Sequence, residues 1–267
     1  MWVCETSRCF SLKRARLDQA LVAKKLCRGV AEAQQAIDER QISVNGAIAV
    51  SHGFMVAPND ELLVMTREKY VSRGGLKLEA ALEHFRVNLA DLRVLDVGAS
   101  TGGFTDCALQ HGARQVVALD VGKNLLHEKV RGDGRVFEVS ETNVRDLTNL
   151  IVANQPVFGE KFDAVVADVS FISLHEIFTS ILSVLKPDGF LVLLVKPQFE
   201  ATRLEADKAS GVIEDPEIHQ RVCREIGEVT SQKGCSLLGI IESPIRGQQG
   251  NIEFLLAAKY TNPDART

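Results

Sequence analysis

A glycine-rich turn that directly follows an apolar run constrains this chain more than any other feature. Residues 94–97 read Val-Leu-Asp-Val, and residues 98–104 read Gly-Ala-Ser-Thr-Gly-Gly-Phe. Because glycine has no Cβ, such a turn brings backbone close to a ligand at a helix start, where N–H groups are free. Ser100 stands where the Gly-x-Gly-x-x-Gly loop of dinucleotide-binding proteins has its second glycine. The Gly-Lys-Ser/Thr that ends a Walker phosphate loop does not follow either. The turn therefore predicts a ligand site that is neither of those phosphate loops, the alternative being an ordinary strand–turn–helix connection.

The composition predicts a globular intracellular protein with room for two domains. The chain has 267 residues, of which 45% are hydrophobic, and this is enough for a catalytic domain and a smaller one. No apolar run approaches the length that spans a membrane, so no membrane insertion is expected. The six cysteines form no Cys-x-x-Cys pair, which favours a reducing, cytoplasmic location and predicts no metal site.

The charge of the chain is unevenly distributed. The net charge is −4, but residues 1–77 carry 12 Lys and Arg against 8 Asp and Glu, an excess of +4. The positive charge concentrates between Arg8 and Arg28. A basic end on an acidic body is typical of a phosphate-binding appendage, although a solvated helix face explains the charge alone equally well.

A small α+β domain is predicted at this basic end. Apolar residues at helical spacing predict helices over 16–26 and 30–40. Alternation over 42–50 around Asn45-Gly46 predicts a hairpin, and residues 62–64 predict a further strand.

With its Arg-Leu-Asp-x-x-Leu opening, this order of elements resembles the RNA-binding domain named for ribosomal protein S-four, over residues 14–70. The resemblance implies that basic residues of the helix pair face RNA phosphates, here Arg16, Lys24, Lys25 and Arg28.

The rest of the chain predicts an α/β fold, a doubly wound, Rossmann-like parallel sheet. Near-continuous apolar runs alternate with helical stretches, as expected for strands buried on both faces. The last two strands lie close in sequence and predict an antiparallel pair. We expect a linker over 71–77, with Arg73-Gly74-Gly75 as a joint, and a catalytic domain over 78–262. The predicted strands cover residues 94–97, 116–120, 136–139, 164–168, 190–196, 237–242 and 252–259.

Polar residues stand at successive strand ends of this predicted sheet. Asp120, Asp168 and Lys196 end three of the predicted strands, and Asn143 follows another. Ligands of open α/β sheets bind at the carboxyl ends of the strands. A single such residue is often only a cap, but four on one edge predict a site.

The acid before the turn and its Gly-x-x-x-Gly-Gly-Phe pattern resemble the first motif of S-adenosylmethionine (SAM) methyltransferases. That resemblance implies Asp120 near the ribose hydroxyls of SAM and Asn143 near its adenine. After the fourth strand the chain has Asp168-Val169-Ser170-Phe171, so it lacks the Asp/Asn-Pro-Pro-Tyr of base amino-methyltransferases, and no cysteine nucleophile lies there. The set Lys77, Asp168, Lys196 and Glu253 resembles the FtsJ family of RNA 2′-O-methyltransferases. That resemblance implies that Lys196 is the base, which a lysine can be when burial or a cationic neighbour favours its neutral form.

Several longer stretches resemble the TlyA family, which joins both domains. They begin with residues 69–78, Lys-Tyr-Val-Ser-Arg-Gly-Gly-Leu-Lys-Leu, and include 166–174, 195–200 and 250–256. The resemblance covers residues 14 to 260 and implies SAM-dependent methylation of cytidine ribose 2′-oxygens in ribosomal RNA, with Arg73 as a further RNA contact. The implied cofactor residues are Asp96, Gly98, Ser100, Thr101, Gly102, Gly103, Phe104, Asp120, Asn143 and Asp168.

Three other functions place different requirements on the sequence. A membrane-lytic protein, as the family's haemolysin label suggests, needs an insertion segment, and the sequence shows none. A pseudouridine synthase lacks the SAM turn. A non-catalytic RNA-binding protein needs neither the lysines nor the glycines. The sequence leaves the oligomeric state and the target nucleotide open.

Overall fold

The computed structural model describes residues 14–65, 69–152, 156–209 and 211–261. Two compact units divide between residues 67 and 68. Residues 71–77, expected to be an interdomain linker, lie inside the second unit, and Gly74 to Lys77 form the first turn of its first helix. Gly75 packs so closely on the ring of Tyr70 that a Cβ would overlap it, so this segment is part of a core. The other expected bounds, in part outside the described residues, stay a prediction.

The first unit folds around two short helices and a hairpin. The first helix ends at Ala23, earlier than expected, and Lys25 adopts a left-handed backbone with φ +60°. Asn45 and Gly46 also have positive φ, as a two-residue hairpin turn requires. The elements are β1 Ala15–Arg16, α1 Leu17–Ala23, α2 Val30–Asp38, β2 Ile42–Val44, β3 Ala47–Ile48, β4 Met55–Val56 and β5 Leu62–Val64. β2 pairs antiparallel with both β3 and β5, and β1 pairs antiparallel with β4.

The second unit is the predicted doubly wound sheet. Its seven strands are β6 Arg93–Val97, β7 Gln115–Leu119, β8 Val136–Val139, β9 Phe162–Ala167, β10 Leu185–Val195, β11 Cys235–Glu242 and β12 Phe254–Tyr260. They lie in the order β11-β12-β10-β9-β6-β7-β8. The five neighbouring strands β10, β9, β6, β7 and β8 are parallel to one another. β12 runs antiparallel between β10 and β11, which confirms the predicted antiparallel pair of the last two strands.

β10 is longer than predicted, because it starts at Leu185 directly after a helix. Leu185 pairs with Phe162, and the register shifts before Phe190, where the predicted strand began. The helices are α3 Gly74–Phe85, α4 Gly103–Gln110, α5 Glu128–Arg131, α6 Leu147–Val152, α7 Leu174–Val184, α8 Pro197–Glu200, α9 Arg203–Lys208 and α10 Pro216–Gln232, with 3₁₀ turns at Val144–Asp146 and Pro156–Phe158.

The alternation of side chains along each strand divides the core into two layers. Leu95 and Val97 of β6 pack with α7 and α10, while Val94 packs with α3 and α4. Asp96 has the same parity as Val94 and therefore lies on the α4 side of the sheet. The residues that follow β6, β9 and β10 share one edge, and the site is built there.

Candidate active site

The glycine-rich turn between β6 and α4 is held by the protein itself. The N–H of Gly98 donates to the carbonyl of Leu119, the last residue of β7, at 2.8 Å. The carboxylate of Asp120 accepts from the N–H groups of Ser100 and Gly122, each at 2.8 Å. Asp120, expected near ribose hydroxyls, therefore also anchors the turn to the end of the neighbouring strand.

The glycines of the turn are required by close contacts within the protein. A Cβ on Gly98, which has φ +79°, would lie 2.6 Å from the carbonyl oxygen of Asp168. A Cβ on Gly103 would overlap the Ser72 hydroxyl and lie 3.0 Å from the backbone nitrogen of Gly75 in α3. Gly102 has φ +91°, and its Cβ would lie 3.1 Å from Leu126. We expected Gly102 to leave space for a ligand, but its neighbours are protein side chains, so a larger residue there strains the fold.

Asp96 is fully buried beneath the turn. Its Oδ2 accepts from the hydroxyl of Thr105 on α4 at 2.6 Å, and its Oδ1 is buried without a hydrogen-bond partner among the described residues. Burial raises the pKa of Asp96 to about 7, and the nearby Asp168 and Asp120 carboxylates act in the same direction. Asp96 therefore connects β6 to α4 through its hydrogen bond with Thr105.

The other expected cofactor residues differ in their surroundings. Asn143 accepts from the N–H of Arg145 at 3.0 Å and caps a 3₁₀ turn. Thr101 is exposed, and Phe104 is buried in the first turn of α4.

A cavity of about 580 Å³ opens at this edge of the sheet. Of the expected cofactor residues, it is lined by Gly98, Ser100, Thr101, Gly103, Phe104 and Asp168, while Asp96, Gly102, Asp120 and Asn143 lie outside its lining.

The four residues expected to be catalytic meet in the same cavity. Asp168 Oδ1 lies 2.6 Å from Lys196 Nζ, and its Oδ2 lies 4.0 Å from Lys77 Nζ. Lys77 Nζ donates to Glu253 Oε2 at 2.5 Å. Lys77, Lys196 and Glu253 are each less than a tenth exposed. Opposite charges alternate along this row, which compensates the cost of burying them. The four residues come from α3, the ends of β9 and β10, and the residue before β12, so distant parts of the chain place them.

Sequence reasoning missed several residues of the cavity. Ser170 accepts from Lys196 Nζ at 2.9 Å. Phe171 is 90% exposed, has φ +64° and lies 5.1 Å from the ring of Phe199. An exposed aromatic side chain in a backbone conformation that non-glycine residues rarely adopt is typical of a functional position. The only sequence signal was that these residues stand beside Asp168 and Lys196 in the chain.

A loop after β11 forms another wall of the cavity. Asn251 is 1% exposed; its Oδ1 accepts from Ile213 N–H and its Nδ2 donates to the Gly211 carbonyl, both at 2.9 Å. Its own carbonyl accepts from Gly247 N–H at 2.9 Å, and a Cβ on Gly247 would lie 2.5 Å from Glu253 Oε1. Asn251 therefore joins two segments of the wall next to Glu253.

The residues expected to bind RNA differ in how many hydrogen bonds their side chains already make within the protein. Arg16 donates to both oxygens of the buried Asp18, at 3.1 and 2.8 Å, and this pair lowers the pKa of the Asp18 carboxyl. Lys24 donates to the Asp60 carbonyl at 2.7 Å. Lys25 and Arg28 are exposed in the first unit, and Arg73 is exposed at the cavity of the second.

Two further properties of the described residues bear on function. No helix among them is both long and apolar enough to cross a membrane. No group of three or more His, Cys, Asp or Glu that could hold a metal ion occurs in these ranges.

Comparison with known proteins agrees with this geometry. An FtsJ-like methyltransferase family model matches residues 70–260, and an S4 domain model matches residues 15–62. A Bacillus subtilis protein assigned as an rRNA methyltransferase is 40% identical, covering 91% of this chain and 85% of its own. The Mycobacterium tuberculosis 16S/23S rRNA (cytidine-2′-O)-methyltransferase TlyA is 37% identical, covering 91% and 89%.

A solved structure points the same way. It is that of a Streptococcus thermophilus protein with a haemolysin name, and it superposes with a TM-score of 0.69 at 35% identity, covering 94% of this chain and 90% of its own. With both domain models, a seven-stranded methyltransferase sheet and relatives along nearly its whole length, the chain belongs to the FtsJ-like methyltransferases of the TlyA family.

Proposed function

We propose that the protein transfers a methyl group from SAM to the ribose 2′-oxygen of a cytidine in ribosomal RNA, in the cytoplasm. The observation that carries the proposal is the row of Lys77, Asp168, Lys196 and Glu253 in one cavity with the glycine-rich turn. The M. tuberculosis relative supports the choice of ribosomal RNA and cytidine.

The residues at the turn fit SAM. Gly98 and the first residues of α4, Gly103 and Phe104, line the same cavity as Asp168, so the backbone of the turn borders the space for a ligand. Asp168, with 23% of its side chain exposed, offers a carboxylate to a cationic ligand. Ser100 and Thr101 are exposed and add hydroxyl groups for a polar ligand. When bound there, SAM supplies an activated methyl group on a sulfonium, a good leaving group.

The protein's remaining tasks are alignment of the ribose hydroxyl and removal of its proton. Lys196 is held on the rigid end of β10 and takes the proton. Asp168 orients Lys196 through the 2.6 Å contact. Lys77 and Glu253, bonded to each other, position the hydroxyl.

The RNA is held by two kinds of contact. Phe171 presents an exposed ring for a nucleobase to stack on, an interaction typical of sites that hold an unstacked nucleotide. Lys25 and Arg28 on the S4 domain, and Arg73 at the cavity, contact phosphates.

The test is to incubate the protein with methyl-labelled SAM and each ribosomal subunit, then to digest the RNA and identify the labelled nucleoside. We expect 2′-O-methylcytidine at a discrete position, and at least about 100-fold slower labelling with Lys196→Ala. Label on a base, or no label in RNA from either subunit, would contradict the proposal.

A further inference from the structure

Ser170 makes a contact that the four expected catalytic residues do not explain. Its hydroxyl lies in the cavity and accepts from Lys196 Nζ at 2.9 Å, while Asp168 Oδ1 lies 2.6 Å from the same nitrogen. Two of the directions around this nitrogen are thus occupied by acceptors fixed on one short segment after β9.

This arrangement limits where the lysine can act. A neutral amine has two N–H bonds and one lone pair, arranged tetrahedrally with the bond to Cε. When the N–H bonds of Lys196 are directed at Asp168 and Ser170, the lone pair takes the one remaining direction. Lys196 lines the cavity, with only about a tenth of its side chain exposed. With a single contact to Asp168, the amine could rotate about the Cε–Nζ bond.

We propose that Ser170 is a positioning residue, which together with Asp168 aims the lone pair of Lys196 at the ribose hydroxyl. The inference rests on the proposed 2′-O-methylation. The proton leaves the ribose oxygen for Lys196 Nζ as the methyl bonds to that oxygen, and the C–S electron pair stays on sulfur. The resulting ammonium then returns its proton to water. Ser170 keeps its own proton throughout and touches no reacting atom.

The test compares Ser170→Ala with Ser170→Thr, which keeps a hydroxyl. Single-turnover methylation is measured at saturating SAM and ribosomal RNA. We expect Ser170→Ala to slow this rate about 10–100-fold, as a misdirected reacting group does, and Ser170→Thr to restore most of it. SAM and RNA affinities should stay within about twofold of wild type. Ser231→Ala is the matched control, because its hydroxyl donates to the Gly227 carbonyl on α10, outside the cavity lining.

Two results would overturn the inference while leaving the proposed function intact. They are a wild-type rate in Ser170→Ala at saturating RNA, and an equal loss in Ser170→Ala and Ser170→Thr with normal ligand affinities. Absence of ribose methylation by the wild-type protein would instead contradict the proposed function itself, together with this inference.

Discussion

The two halves of the candidate site use their residues in opposite ways. On the lysine side, the side chains of Lys77, Asp168, Lys196 and Glu253 converge in the cavity and bond to one another. On the glycine side, Asp96 and Asp120 bond to Thr105 and to backbone N–H groups, and the glycines are needed for close contacts with the rest of the protein. In the proposed mechanism, side chains therefore carry the chemistry on one side of the site, and the backbone sets the shape of the ligand site on the other. Substitutions should separate a loss of rate from a loss of stability accordingly.

The largest effect is expected at Lys196. Lys196→Ala should lower the single-turnover rate at saturating RNA by about 10²–10⁴-fold, the usual contribution of a general base. SAM and RNA affinities should change by only a few-fold. Lys259→Ala is the control, since Lys259 lies at the other end of β12 from Glu253 and pairs with Asp188 at 3.0 Å. A near wild-type rate at saturating RNA would reduce Lys196 to a phosphate contact and erase the distinction between the two sides.

Gly98 should show the opposite pattern. Gly98→Ala should lower the free energy of unfolding by about 2–4 kcal/mol, because a positive φ and a clash with the Asp168 carbonyl add together. Gly250→Ala is matched to it, with φ +94° and no atom within 4 Å of the new Cβ, and should lose only about 1–2 kcal/mol. Urea unfolding measures both. Equal losses of unfolding free energy would show that contact with the Asp168 carbonyl adds no cost to the substitution at Gly98.

Asp96 should make the free energy of unfolding depend on pH. Its folded-state pKa of about 7 lies above the ordinary value of 3.8, so the protonated form stabilises the fold. That stability is fully present below about pH 4 and is lost as the pH rises through 7. Asp96→Asn should therefore become more stable relative to wild type between pH 4.5 and 7.5, as measured by urea unfolding at each pH. A constant difference between the two proteins would mean that Asp96 is ionised throughout and solvated by a ligand or water.

The smallest effect is expected on the S4 domain. Changing Lys25 and Arg28 to Gln should lower the slope of log K against log salt for RNA binding by about 0.7–0.9 per lost phosphate contact. The free energy of unfolding should not change. Arg16→Gln should instead destabilise the domain, because the buried Asp18 loses its cationic partner. If Arg16→Gln alone changed the salt slope and left stability intact, Arg16 would be an RNA contact after all.

The same distinction explains how much the sequence could predict. Lys196 and Asp168 were predictable, because strand ends in an apolar pattern mark one edge of a parallel sheet. The structural reasons for Gly102 and Gly103 were not, because they depend on Leu126 and on the start of α3, which no local pattern places nearby. Ser170 and Asn251 were missed for a similar reason, since their partners lie 26 and about 40 residues away in the chain.

The two hydrogen bonds of the Asn251 side chain have a consequence for how such a chain can vary. α9 buries none of its side chains, and its Glu205 pairs with Arg221 of α10 at 2.6 Å. The backbone at Gly211 and Ile213, just beyond it, is nevertheless fastened beside Glu253. An insertion within α9 can bulge into solvent, whereas one between residue 211 and residue 213 would displace the part of the cavity wall that Asn251 holds beside Glu253. Tolerance to insertion should therefore fall within a few residues, from α9, which buries no side chain, to Ile213, which is 1% exposed.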